Sequence, residues 1–226
     1  MGKNKLKKYE QTLQYSNILQ PGKQTLFDGY ELKGNWRNSL FNNNHKLIVE
    51  LGAGKGETSL MLAQKYPNIN FIAIDIKGDR LLKGAREAVE LKLDNLVFLR
   101  MQIEHIHYAF DKDEIDEFWI TFPDPFPKER RAKKRMTSSR FLTFYQQVLK
   151  PDGLLHLKTD STLMYEFTLD TVKEMNHQVV YSSADIYHET NANPDVTELQ
   201  TYYERRWLKE GRIIKYLQFK LNPNNR

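Results

Sequence analysis

The chain has 226 residues, a formal net charge of +5, 40% apolar and 12% aromatic residues, and no cysteine. That apolar content can bury a sizeable core in one α/β domain, and the missing cysteine excludes disulfides, thiolate metal sites and thiol catalysis, which suits a reducing cytosol. MGKNKLKKYE lacks the apolar core of a signal peptide, has Leu6 where a myristoylation signal needs Ser or Thr, and no run approaches the ~20 apolar residues of a bilayer span, so a soluble, cytoplasmic protein is expected.

Residues 1–45 are polar and rich in Asn and Lys, and read as a basic arm (Lys3, Lys5, Lys7, Lys8) with a short helix around Trp36 to Phe41. Residues 46–226 read as a single domain. Lys46 to Leu51 is a buried strand ending at glycines, Thr58 to Tyr66 a helix closed by Pro67, and Asn70 to Ile74 a second strand. Arg80 to Leu91 is a helix, Leu96 to Met101 a third strand and Phe118 to Thr121 a fourth. Ser139 to Leu149 is helical, Pro151-Asp152-Gly153 a turn, Leu154 to Lys158 strand five, and Leu163 to Met175 a helix. This alternation predicts right-handed crossovers and a parallel, doubly wound α/β sheet. Val179 to Ile186 and Ile213 to Leu221 are strand-like, with helical residues near Leu199 to Lys209 between them, and read as a late antiparallel pair at one sheet edge.

The first strand runs into Glu50-Leu51-Gly52-Ala53-Gly54-Lys55-Gly56-Glu57. In an open parallel sheet, ligands sit outside the carboxyl ends of the strands, and glycines there let the backbone approach closely. The G-x-G-x-G spacing is neither a phosphate loop nor a dinucleotide fingerprint, whose third glycine would fall on Glu57. Glutamates at this place disfavour a pyrophosphate and tolerate a ligand carrying an ammonium group, such as S-adenosylmethionine. Asp75, at the end of the second strand, can accept from ribose hydroxyls at about 1.5–3 kcal/mol each, or cap the next helix.

Thr121 to Arg135, TFPDPFPKERRAKKR, turns from the fourth strand through prolines that bracket Asp124 and runs into a basic block. A carboxylate between rigid residues beside a surface suited to phosphate points to a nucleic-acid substrate. Asp124 is the candidate to contact a nucleobase there, with Phe126 placed to stack on a flipped base. Lys128 and the phosphate-gripping Arg130, Arg131, Lys133, Lys134 and Arg135 follow. Asp160, after strand five, is either a ligand contact or a helix cap, and Thr197 to Gln200 has capping-box spacing. The histidines show no metal-ligand spacing, so no metal is expected.

These marks together (ELGAGKGE at Glu50 to Glu57, AIDIKG at Ala73 to Gly78, FPDPFPK at Phe122 to Lys128, LKTD at Leu157 to Asp160, TYYE at Thr201 to Glu204) resemble the tRNA (guanine-N7-)-methyltransferase family. The resemblance implies a doubly wound, mostly parallel seven-stranded Rossmann-like methyltransferase sheet with an antiparallel C-terminal edge strand. It implies that S-adenosylmethionine donates a methyl group to N7 of a variable-loop guanine in tRNA, leaving S-adenosylhomocysteine. By the same resemblance, Glu50, Gly52, Gly54, Gly56, Asp75, Gln102 and Asp124 lie at the cofactor, Gln102 standing where the family carries an acid. Lys128, Asp160, Thr201, Tyr202, Tyr203 and Glu204 would contact tRNA. The expected partner is tRNA, with no membrane and no metal, and the chain acts as a monomer or homodimer. Guanine N7 has a lone pair and no proton, so its methylation needs positioning and charge stabilisation and no general base, and the resemblance implies that Asp124 holds the guanine N1 and N2 donors and stabilises the cationic product. Two alternatives stay open: methylation of an exocyclic amine (adenine N6 or cytosine N4), and a non-catalytic RNA-binding protein of the same fold.

Overall fold

A computed structural model describes residues 11–12 and 14–225, so the lysines of the basic arm, Lys3 to Lys8, lie outside the described residues. The chain forms two compact units, one ending at Asp111 and the other starting at Lys112.

The first unit contains β1 (Ile18–Leu19), α1 (Lys23–Gly29), β2 (Lys46–Leu51), α2 (Glu57–Lys65), β3 (Ile69–Asp75), α3 (Gly78–Glu90), β4 (Leu96–Arg100) and α4 (Ile106–Ala109). Its strands lie in the order β1-β4-β3-β2, and every described pairing is parallel. Val49, Ile72, Ala73, Ile74, Phe98 and Leu99 are fully or almost fully buried. Such unbroken apolar runs are what strands covered on both faces require. Helix α3 lays Leu81, Leu82, Ala85 and Ala88 on its buried side, the spacing of an amphipathic helix. Asn95 locks the approach to β4 by donating from its side chain to the carbonyls of Ala63, Tyr66 and Ile69.

The described part of the N-terminal segment belongs to this unit. β1 pairs with Phe98 and Leu99, and Asn17 donates to the Ala85 carbonyl. Trp36, in a wide helical turn over Trp36–Phe41, is fully buried, stacks on Phe110 and donates from Nε1 to the Ala109 carbonyl at 2.9 Å.

The second unit contains β5 (Ile115–Thr121), α5 (Ser139–Gln146), β6 (Leu149–Thr159), α6 (Thr162–Glu174), β7 (Gln178–Ser183), α7 (Pro194–Thr197), α8 (Tyr202–Lys209) and β8 (Lys215–Lys220). The strand order is β5-β6-β8-β7, with β5 parallel to β6 and β8 antiparallel to both its neighbours. The C-terminal strand is therefore antiparallel, as expected, but lies one strand in from the edge. Burial explains this: Tyr216, Leu217 and Phe219 of β8 are buried, whereas Gln178, Val179 and Val180 of β7 are exposed, as suits an edge strand. Pro151-Asp152-Gly153 is not a separating turn. It bulges out of β6, whose register against β5 jumps from Ile115↔Leu149 to Glu117↔Leu154. A Cβ on Gly153 would lie 2.9 Å from the Asp116 carbonyl oxygen and 2.6 Å from Leu149, so the bulge requires glycine.

Candidate functional site

The glycine loop follows β2 in the first unit. Gly54 has φ +61 and nothing within 4 Å of where a Cβ would stand, and Gly56 has φ +71 with that position only 2.7 Å from a ring carbon of Phe98. Gly56 is thus fixed by packing, and Gly54 by a left-handed backbone that faces open space. Gly52 shares the left-handed conformation. The Gly54 N–H donates to Asp75 Oδ2 at 2.9 Å, and the Lys77 N–H donates to Asp75 Oδ1 at 2.8 Å. Asp75 therefore ties the loop to β3 and shapes the entry to α3. A carboxylate has about four acceptor positions, so these bonds leave it capacity for ribose hydroxyls.

Glu50 is buried, and its Oε2 accepts from the Ser59 N–H at 3.0 Å and the Ser59 hydroxyl at 2.6 Å. Gly56, at the N-cap of α2, has no side chain to offer, and Glu50 supplies the anion that a helix N-terminus favours. Gln102 is exposed just beyond β4, and its carbonyl accepts from the His105 N–H at 3.0 Å. Phe27 of α1 packs on His105 and Tyr108 in the same region, an aromatic cluster that no sequence period announced.

In the second unit the Phe122 to Lys128 loop leaves β5 under strain. Phe122 has φ 50 and Phe126 φ 41, a conformation that costs bulky residues on the order of 1–3 kcal/mol each. Three hydrogen-bonding features hold it. The Phe122 N–H donates to the Lys158 carbonyl at 2.8 Å, and the Phe126 N–H donates to Asp124 Oδ1 at 3.2 Å. Arg135 donates from Nε to the Pro125 carbonyl at 3.0 Å and from Nη2 to the Phe126 carbonyl at 3.2 Å, while its guanidinium lies 4.4 Å from the Phe167 ring centroid. Asp124 itself is exposed at the top of this loop.

Arg135 requires a correction to the expected row of phosphate contacts. It is only 3% exposed and braces the loop from within. Lys128, Arg130, Arg131, Lys133 and Lys134 are exposed on or beside a tight helical turn over Glu129–Lys134, and Arg131 lies 4.5 Å from the Phe126 ring centroid.

The TYYE segment also differs from expectation. Glu204 is 0% exposed, so its carboxylate cannot meet RNA in this conformation. It pairs with Lys158 Nζ at 2.5 Å, accepts from the Tyr187 hydroxyl at 2.7 Å and receives the Thr201 N–H at 3.2 Å. Thr201 Oγ1 in turn accepts from the Glu204 N–H at 3.3 Å, closing a capping box at the start of α8. The capping box is therefore Thr201 to Glu204 and not Thr197 to Gln200; α7 is capped by Asn193. Lys158 also donates to the Val196 carbonyl. Burial lowers the Lys158 pKa, the Glu204 charge opposing this. Burial, then Glu204, raises that of Tyr187. Breaking such a buried pair costs about 3–5 kcal/mol. Tyr202 and Tyr203 stay exposed on the helix that this network anchors.

Asp160 pairs with Arg212 at 2.9 Å, and the cap of α6 is Ser161, which accepts from the Met164 N–H at 3.2 Å. Lys158 was legible only as a charge within the apolar run LLHLKT, which in a central strand means a buried, partnered cation. Nothing local pointed to Tyr187. Among the described residues no group of three His, Asp or Glu is placed to hold a metal, and no helix is long and apolar enough to cross a membrane.

A glycine loop and an acid at neighbouring parallel strand ends in the first unit, and antiparallel C-terminal strands in the second, are the marks of the Rossmann-like methyltransferase fold. The 16S rRNA methyltransferase KamB superposes with a TM-score of 0.62 over 82% of this chain and 92% of its own, at 16% identity, a likeness of fold alone. The methyltransferase family model Methyltransf_4 matches residues 44–217. The tRNA (guanine-N(7)-)-methyltransferase of Christiangramia forsetii is 46% identical over 97% of this chain and 98% of its own. That of Bacteroides thetaiotaomicron is 39% identical over 98% of this chain and 87% of its own. The chain belongs to the tRNA (guanine-N7)-methyltransferase family.

Proposed function

We propose that this chain transfers the methyl group of S-adenosylmethionine to N7 of a variable-loop guanine in tRNA. The observation that carries the reading is the Phe122 to Lys128 loop, with Asp124 exposed and braced by Arg135, in a chain aligned almost end to end with tRNA (guanine-N(7)-)-methyltransferases.

The glycine loop fits the cofactor: the open space over Gly54 admits a ligand against the backbone, and Asp75 has acceptor capacity for ribose. When bound, S-adenosylmethionine supplies an electrophilic methyl on a sulfonium. Gln102 would accept from the adenine amino group. Glu50 acts by capping α2, and so holds the loop that precedes it in place.

Asp124 orients the guanine through its N1 and N2 donors. Its charge opposes the positive charge that the purine acquires on N7, a preorganised electrostatic contribution that needs no proton transfer. Lys128, Arg130, Arg131, Lys133 and Lys134 neutralise phosphates. Asp160 positions Arg212 in this conformation and reaches RNA only if that pair opens.

The test is methyl transfer from labelled S-adenosylmethionine to unmodified transcribed tRNA, with the position mapped by strand cleavage at N7-methylguanine. Cleavage at one variable-loop guanine is expected. In Asp124→Ala the rate should fall roughly 10²–10³-fold, the range found when one preorganised electrostatic group is removed. Label on an adenine or cytosine amine would overturn the N7 assignment, and binding of tRNA without transfer would leave a silent RNA-binding protein.

A further inference from the structure

The exposed side of α8 carries aromatic surface that packing does not use. Tyr202 and Tyr203 are 56% and 53% exposed. One helical turn on, the Trp207 ring stacks on Tyr203 at 5.8 Å between centroids and 29° between planes. Trp207 is half-buried and meets Phe122 edge-on at 4.9 Å, which joins the helix to the base of the Asp124 loop. Arg212 lies 5.5 Å from the Trp207 ring centroid, and Arg205, Arg206 and Lys209 are exposed around it. Glu210 pairs with Arg206 and Arg212, and Asp160 with Arg212, so the cations are held in place without all being neutralised.

We propose that Tyr203, Trp207 and Phe122 form a stacking platform for an unpaired base of the RNA substrate, with the cations of α8 and Arg212 meeting its flanking phosphates. This rests on the proposed function for the identity of the substrate. A nucleobase has a π-face and its chain is a polyanion, and a row of aromatic rings interleaved with arginine matches both. A purely apolar partner would leave the cations desolvated, and a paired helix would present no free base. The platform is rigid because the Lys158–Glu204 pair and the Thr201 capping box fix α8 from beneath. Tyr203 is expected at tRNA by the family resemblance alone; the platform adds Trp207 and Phe122 and gives the three rings a stacking role.

Trp36 is 0% and Trp119 4% exposed, so quenching of intrinsic fluorescence by RNA reports on Trp207. The full chain would be titrated with transcribed tRNA and, separately, with a fully paired RNA duplex, binding being followed independently by anisotropy of labelled RNA. Quenching by tRNA at saturation, and little by the duplex, is expected. Trp207→Leu, which keeps apolar contact with Phe122 but has no π-face, should weaken tRNA binding roughly five- to 150-fold, the range for one lost base–aromatic stack. It should raise KM more than it lowers kcat, and Trp207→Phe should retain most of the affinity. A melting temperature for each variant separates loss of stacking from loss of fold. Bound tRNA without quenching, or Trp207→Leu binding like the parent, would overturn the platform. Methylation at guanine N7 with no quenching would sink the platform alone, whereas quenching without methyl transfer would sink the proposed activity alone.

Discussion

The proposed role of Asp124 requires that the loop under it keep its shape, and the side chain that braces this loop is Arg135. Its two hydrogen bonds go to the carbonyls of Pro125 and Phe126, beside residues whose left-handed backbone would otherwise relax. A lysine cannot reproduce two divergent N–H donors from one planar group. Arg135→Lys is therefore expected to fold and to bind S-adenosylmethionine like the parent, yet to lower kcat for tRNA roughly 10²-fold, as small displacements of positioned groups do. Single-turnover kinetics beside calorimetry of cofactor binding would test this; a rise in KM with kcat unchanged would instead make Arg135 an RNA contact. Asp124 was legible in the sequence because prolines flank it at a strand end. Arg135 was not separable from Arg130 or Lys134, since burial is a tertiary property and a run of cations looks alike residue by residue. Glu204 was misplaced for the same reason: T-x-x-E is equally a substrate motif and a capping box, and only its complete burial decides what it does here.

Among the elements, the basic turn Glu129–Lys134 can be tested as a unit. Arg130, Arg131, Lys133 and Lys134 project from a tight helical turn, and their exposure leaves them hydrated and available to phosphate. Replacing the four by Gln should weaken tRNA binding at about 0.1 M salt and flatten the plot of log affinity against log salt by roughly 0.7–0.9 for each phosphate contact removed. Cofactor binding should not change. An unaltered salt slope would place the RNA elsewhere. The strands β2 to β6 were readable because each contains an apolar or β-branched run, and all but β4 stop at or near glycine, proline or an acid. β1 was not, because two residues carry no period. The position of β8 between β6 and β7 was also out of reach, since strand order is fixed by which faces need covering and not by any one segment's pattern. Gly153 marks a break in the chain, but a turn and a bulge ask for the same residues, so only the strand register shows which it is.

At the scale of the whole molecule, the net charge of +5 concerns association with polyanions more than stability. The dependence of stability on pH should instead come from particular buried groups. Burial lowers the pKa of His177, and burial followed by the charges of Lys33 and His105 lowers that of His107. His177 Nδ1 accepts the Asn222 N–H at 3.0 Å, a bond that the neutral ring makes and a protonated Nδ1 cannot. Both folded-state values lie below the ordinary 6.5, so the unfolded chain takes up protons first as pH falls. The contribution of these imidazoles is therefore fully present above about pH 6.5 and declines as pH drops from there towards the folded values. The urea midpoint should fall between pH 7.5 and pH 5.5, and His177→Asn, which keeps an acceptor at the same bond distance from the backbone but does not titrate, should show a smaller fall. Equal falls in parent and variant would mean that the His177–Asn222 bond does not sense protons and that other groups, His107 among them, set the acid limb. A larger fall in the variant would mean that the imidazole stabilises the folded chain in acid, the opposite of what a lowered pKa requires.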